Sequence, residues 1–123
     1  MVNKKKFIVT SSAQKQAINQ FIMSLKKQFN EKKRVCKVTF TLTKDFAHSA
    51  NQINLAGEFN NWDIESIPLK RQKGGEFSAS VDLKQGREYE FKYVIDGKEW
   101  INEPEADMFV TNVFLSENSV VVV

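Results

Sequence analysis

From Cys36 onward, apolar residues recur at every second position, and that rhythm fixes most of what the chain can become. Cys36, Val38, Phe40 and Leu42 alternate with Lys37, Thr39 and Thr41, the pattern of a strand with one buried face. Ile53, Leu55 and Gly57 predict a second strand, and Phe77, Ala79, Val81 and Leu83 a third. Tyr89, Phe91, Tyr93 and Ile95 predict a fourth, and Ser119 to Val123 a closing one. Val110 to Leu115 leaves room for another. Turn signals at Lys73-Gly74-Gly75, Gln85-Gly86 and Asp96-Gly97 punctuate the series. Short strands with one apolar face each are satisfied when two sheets pack those faces together. The fold class expected is therefore an all-β sandwich.

With 123 residues the chain can bury a single core. Its net charge of +3 hides an asymmetry: residues 1–37 carry ten Lys/Arg against one acid, and residues 38–123 carry eight against fourteen. The basic character belongs to an N-terminal arm. The acidic body argues against nucleic acid as the ligand. Cys36 is the only cysteine, so no internal disulfide forms. Phe7-Ile8-Val9 is too short for a signal-peptide core, and nothing approaches the length of a membrane span. A reducing cytoplasm is the expected setting.

Residues 1–34 are expected to form a basic arm and an amphipathic helix, ahead of a sandwich over 35–123. Ser11 with Gln14 makes a capping-box pattern, and Ile18, Phe21, Ile22, Leu25 and Phe29 recur at helical spacing as far as Asn30. Three uses of that stripe stay open. Packing on the sandwich or a sheet edge comes first, then docking of a partner or second copy through Ile18, Phe21, Leu25 and Phe29. The last is a lysine-faced helix lying on an anionic membrane, and membrane is not the favoured partner.

Catalysis finds no constellation. His48 is the only histidine, and Cys36 falls on the predicted core face, so neither a metal cluster nor a thiol nucleophile can be assembled. The acids lie on turns and outward strand positions, with no pair to flank a glycosidic bond. No enzyme activity, metal or cofactor is expected.

The two tryptophans point elsewhere. Trp62 follows Asn60-Asn61, and Trp100 follows Asp96-Gly97-Lys98-Glu99, both polar, turn-forming settings that project a ring from a loop or strand end. An indole face suits the C–H face of a pyranose. One such stack buries about 100 Å² and contributes about 2 kcal/mol by area. Two stacks, less ordering costs, imply roughly micromolar to millimolar affinity. Lys92 alternates with the inward Phe91 and Tyr93, so it points outward as a hydroxyl donor. Asn60, Asn61 and Asn118 are amide candidates. Singly, each residue also has a plain reading, as a solvated lysine, a turn or a core-closing ring.

Together these segments resemble a known family. Gly57-Glu58-Phe59-Asn60-Asn61-Trp62, Pro68-Leu69, Phe77 to Leu83, Tyr89 to Gly97, Trp100 and Asn118-Ser119-Val120-Val121 are similar to the glycogen-binding domain of the AMP-activated protein kinase β subunit. More broadly they resemble the family 48 carbohydrate-binding modules, the early-set domains of isoamylase-type enzymes. The resemblance covers about residues 35 to 123 and implies an immunoglobulin-like early-set sandwich, here with an added N-terminal α-helix. It implies non-catalytic binding of α-1,4-glucans such as glycogen, starch and maltooligosaccharides. Trp62 and Trp100 would stack, Lys92 would donate, Asn118 would contact the sugar, Ser116 would stand at a threonine position and Phe114 at that of a leucine reaching around the sugar. The chain has one more residue between Asp96-Gly97 and Trp100 than the family pattern. The alternative is an early-set scaffold domain without sugar binding, including one that partners a separate glucan-processing enzyme.

Overall fold

A computed structural model describes residues 24–47 and 49–123. In chain order its elements are β1 (Leu25–Asn30), β2 (Val35–Leu42), the short helix α1 (Lys44–Ala47), β3 (Ile53–Gly57), a 3-10 turn (Glu58–Asn60), β4 (Lys70–Arg71), β5 (Phe77–Lys84), β6 (Glu88–Ile95), β7 (Glu99–Ile101), β8 (Met108–Thr111) and β9 (Glu117–Val122). One antiparallel sheet runs β1-β2-β5-β4. The other runs β3-β6-β9-β8, with β7 also paired to β6.

The two sheets meet through the faces that the alternation marks. Cys36, Val38, Phe40, Leu42, Phe77 and Leu83 from the first pack against Ile53, Leu55, Tyr89, Phe91, Tyr93 and Ile95 from the second. At the centre Phe40 meets Phe91 edge to face, with ring centroids 5.0 Å apart and planes at 71°, the arrangement that the ring quadrupole favours. Strands β2, β3, β5, β6 and β9 thus stand where the sequence puts them.

The segment expected to end a helix is instead a strand. β1 pairs with β2 from Leu25↔Phe40 to Asn30↔Val35, and Asn30 to Arg34 form the hairpin turn. Arg34 there adopts φ 56°, and the Asn30 side chain accepts the Lys33 amide at 3.1 Å. Leu25 and Phe29 are four residues apart, which satisfies both a helical stripe and one face of a strand. Pairing with an exposed sheet edge decides between them. Leu25 packs on the core while Phe29 stays half exposed, and Lys27 between them reaches Asp107 at 2.7 Å. Leu25 and Phe29 therefore form no helical docking stripe. Ile18, Phe21 and the rest of the expected helix, as well as His48, lie outside the described residues.

Two further expectations change. β3 is buried on both faces, because residues 64–69 fold beside it. Leu55 donates to the Ile67 carbonyl at 2.9 Å, Leu69 donates to Ile53 at 2.8 Å, and the Asn54 amide donates to the Ile64 carbonyl. The strand left open over Val110 to Leu115 lasts only to Thr111, and the chain then turns.

One side chain ties the loop that leaves β3. Asn60 accepts the Gly57 amide at 2.9 Å, and its NH2 group donates to the Leu55 carbonyl at 3.1 Å, the Asp63 carbonyl at 3.0 Å and Ser66 Oγ at 2.9 Å. Asn60→Ala removes all of these at once. It should lower stability by about 2–4 kcal/mol, read as a shifted urea midpoint, whereas Asn61→Gly, at an exposed position with φ 55°, should move it little. Equal midpoints for Asn60→Ala and the parent would refute the tie.

Glu103 is fully buried. It accepts the Tyr93 hydroxyl at 2.6 Å and the Glu105 amide at 2.7 Å. Burial nevertheless pushes its carboxyl up from 4.5 to about 7 and, with the Glu103 charge beside it, pushes the Tyr93 phenol well up too. The folded chain therefore holds this proton more tightly than the unfolded chain. Stability is greatest below about pH 4.5 for this group and falls as pH rises to about 7, by about 3 kcal/mol in total. Urea midpoints measured from pH 5 to 8 should decline for the parent and decline less for Glu103→Gln. Parallel curves for the two proteins would remove Glu103 as the cause.

Candidate functional site

The outer face of the second sheet is set by the same alternation that fills the core. With Phe91, Tyr93 and Ile95 inward, Glu90, Lys92 and Val94 point outward. Trp100 on β7 pairs with Val94, which places its indole on that outer face, 44% exposed. The extra residue before Trp100 is taken up in the turn between the two strands. Asp96 and Gly97 have φ of 52° and 70°, Lys98 donates to the Ile95 carbonyl at 3.0 Å, and Ile95 still pairs with Glu99. The Asp96 carboxylate fixes this corner by accepting the Asn51 and Gln52 amides, each at 2.9 Å.

Trp62 arrives from the other side. At Gly57 a Cβ would sit 2.6 Å from the Glu90 carbonyl oxygen and 2.8 Å from Phe91 Cβ, so only glycine lets β3 pass this close to β6. The 3-10 turn then drops Phe59 onto the core, tilted against Phe40 and Phe91. Asn61 and Trp62 both take left-handed backbone, with φ 55° and 59°. That conformation is costly for a tryptophan. It is held by the Asn60 tie and by the Trp62 amide donating to the Gly57 carbonyl at 2.8 Å.

The turn from β8 to β9 forms a third side. Asn112 Oδ1 accepts the amides of Phe114 at 2.9 Å and Ser116 at 3.2 Å, an Asx-type closure. It leaves Val113, Phe114 and Leu115 more than four-fifths exposed. Three consecutive apolar side chains in water are unusual on a folded surface.

Between these walls lies a groove of about 710 Å³, lined by Glu58, Trp62, Glu90, Lys92, Trp100, Thr111, Asn112, Val113, Phe114, Ser116 and Asn118. Six of the candidates read from the sequence therefore meet: Trp62, Lys92, Trp100, Phe114, Ser116 and Asn118. Asn60 and Asn61 do not line it. The Asn60 amide is consumed by its own loop, and Asn61 serves the turn. Asn118 is buried, donating to Glu90 at 2.9 Å and accepting from Asn112 at 3.1 Å, so it braces the floor. Ser116 Oγ accepts from Asn112 at 2.8 Å and keeps its own proton to donate.

The sequence reading missed Thr111, Asn112 and Val113 of the β8–β9 turn and, of more chemical weight, the carboxylates of Glu58 and Glu90. Glu90 lies two positions before Lys92 on one strand, so parity alone would have found it. Glu58 could not be found that way. It sits just past the last paired residue of β3, where its carboxylate accepts the Glu90 amide at 2.8 Å. Among the described residues, Lys92 makes no ion pair within 4.0 Å and no group of metal-ligating side chains forms. Cys36 is buried away from the groove, and burial pushes its thiol up.

Comparison with known proteins places the chain in a family. The model for the glycogen recognition site of AMP-activated protein kinase matches residues 38–123. Protein PTST homolog 2, chloroplastic, from Arabidopsis thaliana is 26% identical over 85 residues, which make up 69% of this chain and 15% of that protein. The chain spans only a small part of that relative. The family match runs from β2 to the last residue and takes in every residue that lines the groove, and by it this chain belongs to the family of the glycogen recognition site of AMP-activated protein kinase.

Proposed function

We propose that the groove binds an α-1,4-glucan without catalysis, stacking glucose units on Trp62 and Trp100. The observation that carries this reading is the convergence of two indoles, an unpaired lysine and an exposed phenylalanine on one groove. Trp62 and Trp100 supply flat apolar faces on opposite sides, and Lys92 between them is free to donate to hydroxyls. Ser116 adds a hydroxyl at the rim. Phe114 stands where it can wrap the far side of a sugar chain, and Asn118 acts chiefly through Glu90. The sandwich is then an immunoglobulin-like early-set module.

Glu58 and Glu90 do not turn this groove into a hydrolase site. Glu58 is exposed and Glu90 only half-buried, and neither has the apolar enclosure that a general acid needs. In this reading the chain brings a glucan to a separate enzyme or localises to it, in a cytoplasmic setting.

Titration with maltoheptaose, followed by tryptophan fluorescence, should saturate in the roughly micromolar to millimolar range. Glycogen should retard the full chain in a native gel. Trp62→Ala and Trp100→Ala should each lose about 2 kcal/mol, a roughly 30-fold weakening, while melting with the parent within a few degrees. Unchanged fluorescence and migration of the parent protein at millimolar ligand would favour the scaffold alternative.

A further inference from the structure

We propose that Glu58 and Glu90 set the ligand class of the groove: they accept hydroxyl protons from a neutral glucan and reject one bearing phosphate esters on the contacted units. This rests on the glucan reading above. It starts from the bonding of the two carboxylates. Each is fixed by one oxygen, Glu58 Oε1 by the Glu90 amide at 2.8 Å and Glu90 Oε1 by the Asn118 amide at 2.9 Å. The second oxygen of each has no hydrogen bond among the described residues. Both side chains line the groove. They are anchored acceptors with free lone pairs, and a carboxylate can take hydroxyl hydrogens at strong, charge-assisted geometry.

The charge balance gives the selectivity. The lining holds two carboxylates against one ammonium, that of Lys92, and no arginine. Lys92 is not within 4.0 Å of either acid, so it does not neutralise them by contact. A sugar phosphate brings nearly two negative charges into a groove of formal charge −1. It would also need donors in a fork that the lining does not offer. A neutral glucose unit meets no such repulsion and satisfies the free oxygens with its hydroxyls. Glu58 is fixed by the architecture itself. β3 ends at Gly57, opposite Phe91, so the next amide of β6, that of Glu90, lacks a strand partner on that edge, and the Glu58 carboxylate supplies one.

The test compares maltoheptaose with the same oligosaccharide monophosphorylated at C6, by tryptophan fluorescence at pH 7.5 and low salt. The parent protein should bind the neutral sugar about tenfold more tightly or better, equivalent to about 1.4 kcal/mol. Raising the salt to about 0.5 M should narrow the ratio without any mutation, because exposed charges are screened. Glu58→Gln, Glu90→Gln and the double variant keep an oxygen for the amide bonds and should narrow it too, the double variant most. Thermal melts confirm that each is folded. Equal or tighter binding of the phosphorylated sugar by the parent, or a ratio unmoved in the folded double variant, overturns the proposal while leaving glucan binding intact. Failure of the parent to bind maltoheptaose overturns the glucan reading, and this inference falls with it.

Discussion

Strand β6 is the member on which the rest of the molecule depends. It hydrogen-bonds to β3 along one edge, and to β9 and then β7 along the other. Its inward residues Tyr89, Phe91, Tyr93 and Ile95 supply much of the core of the second sheet. The intervening Glu90 and Lys92 supply the floor of the groove. Because successive side chains of a strand point to opposite faces, a one-residue slip of β6 would bury Lys92 and expose Phe91. Packing against Phe40 forbids that slip, so the register of the core also fixes the register of the site.

The rings above that floor are held by polar side chains rather than by regular structure. Asn60 ties the loop of Trp62, Asp96 ties the corner before Trp100, and Asn112 closes the loop of Phe114. Each replaces backbone partners that the strands no longer provide at their ends, where unpaired amides and carbonyls would otherwise be left. Aromatic rings can therefore stand exposed at fixed positions, with little of the side-chain burial that usually orients them. The result is a hydrogen-bonded sheet below, short tied loops above, and apolar side chains turned toward solvent around the groove.

Much of this was legible beforehand. Period-two alternation located β2, β3, β5 and β6, and parity on β6 pointed Lys92 outward. The polar settings of Trp62 and Trp100 marked them as projecting. Other features were ambiguous in one dimension. Leu25 and Phe29 satisfy a helical stripe and a strand face alike, and only the free edge of β2 resolved them into β1. Asn60 read as a ligand amide because a sequence does not show that a carboxamide is already saturated. Glu58 was invisible because its place depends on where β3 stops pairing.

The sequence alone determined the sandwich, which residues of its main strands face inward and which two tryptophans project, since these follow from periodicity, turn chemistry and composition, which are local. Tertiary structure decided which rings and charges share one groove, that Trp100 keeps its face despite an extra residue, and that two carboxylates lie beside Lys92. Those outcomes depend on long-range pairing of strand ends and on which polar atoms remain unspent once the loops are tied. Neither can be read along a single line of residues.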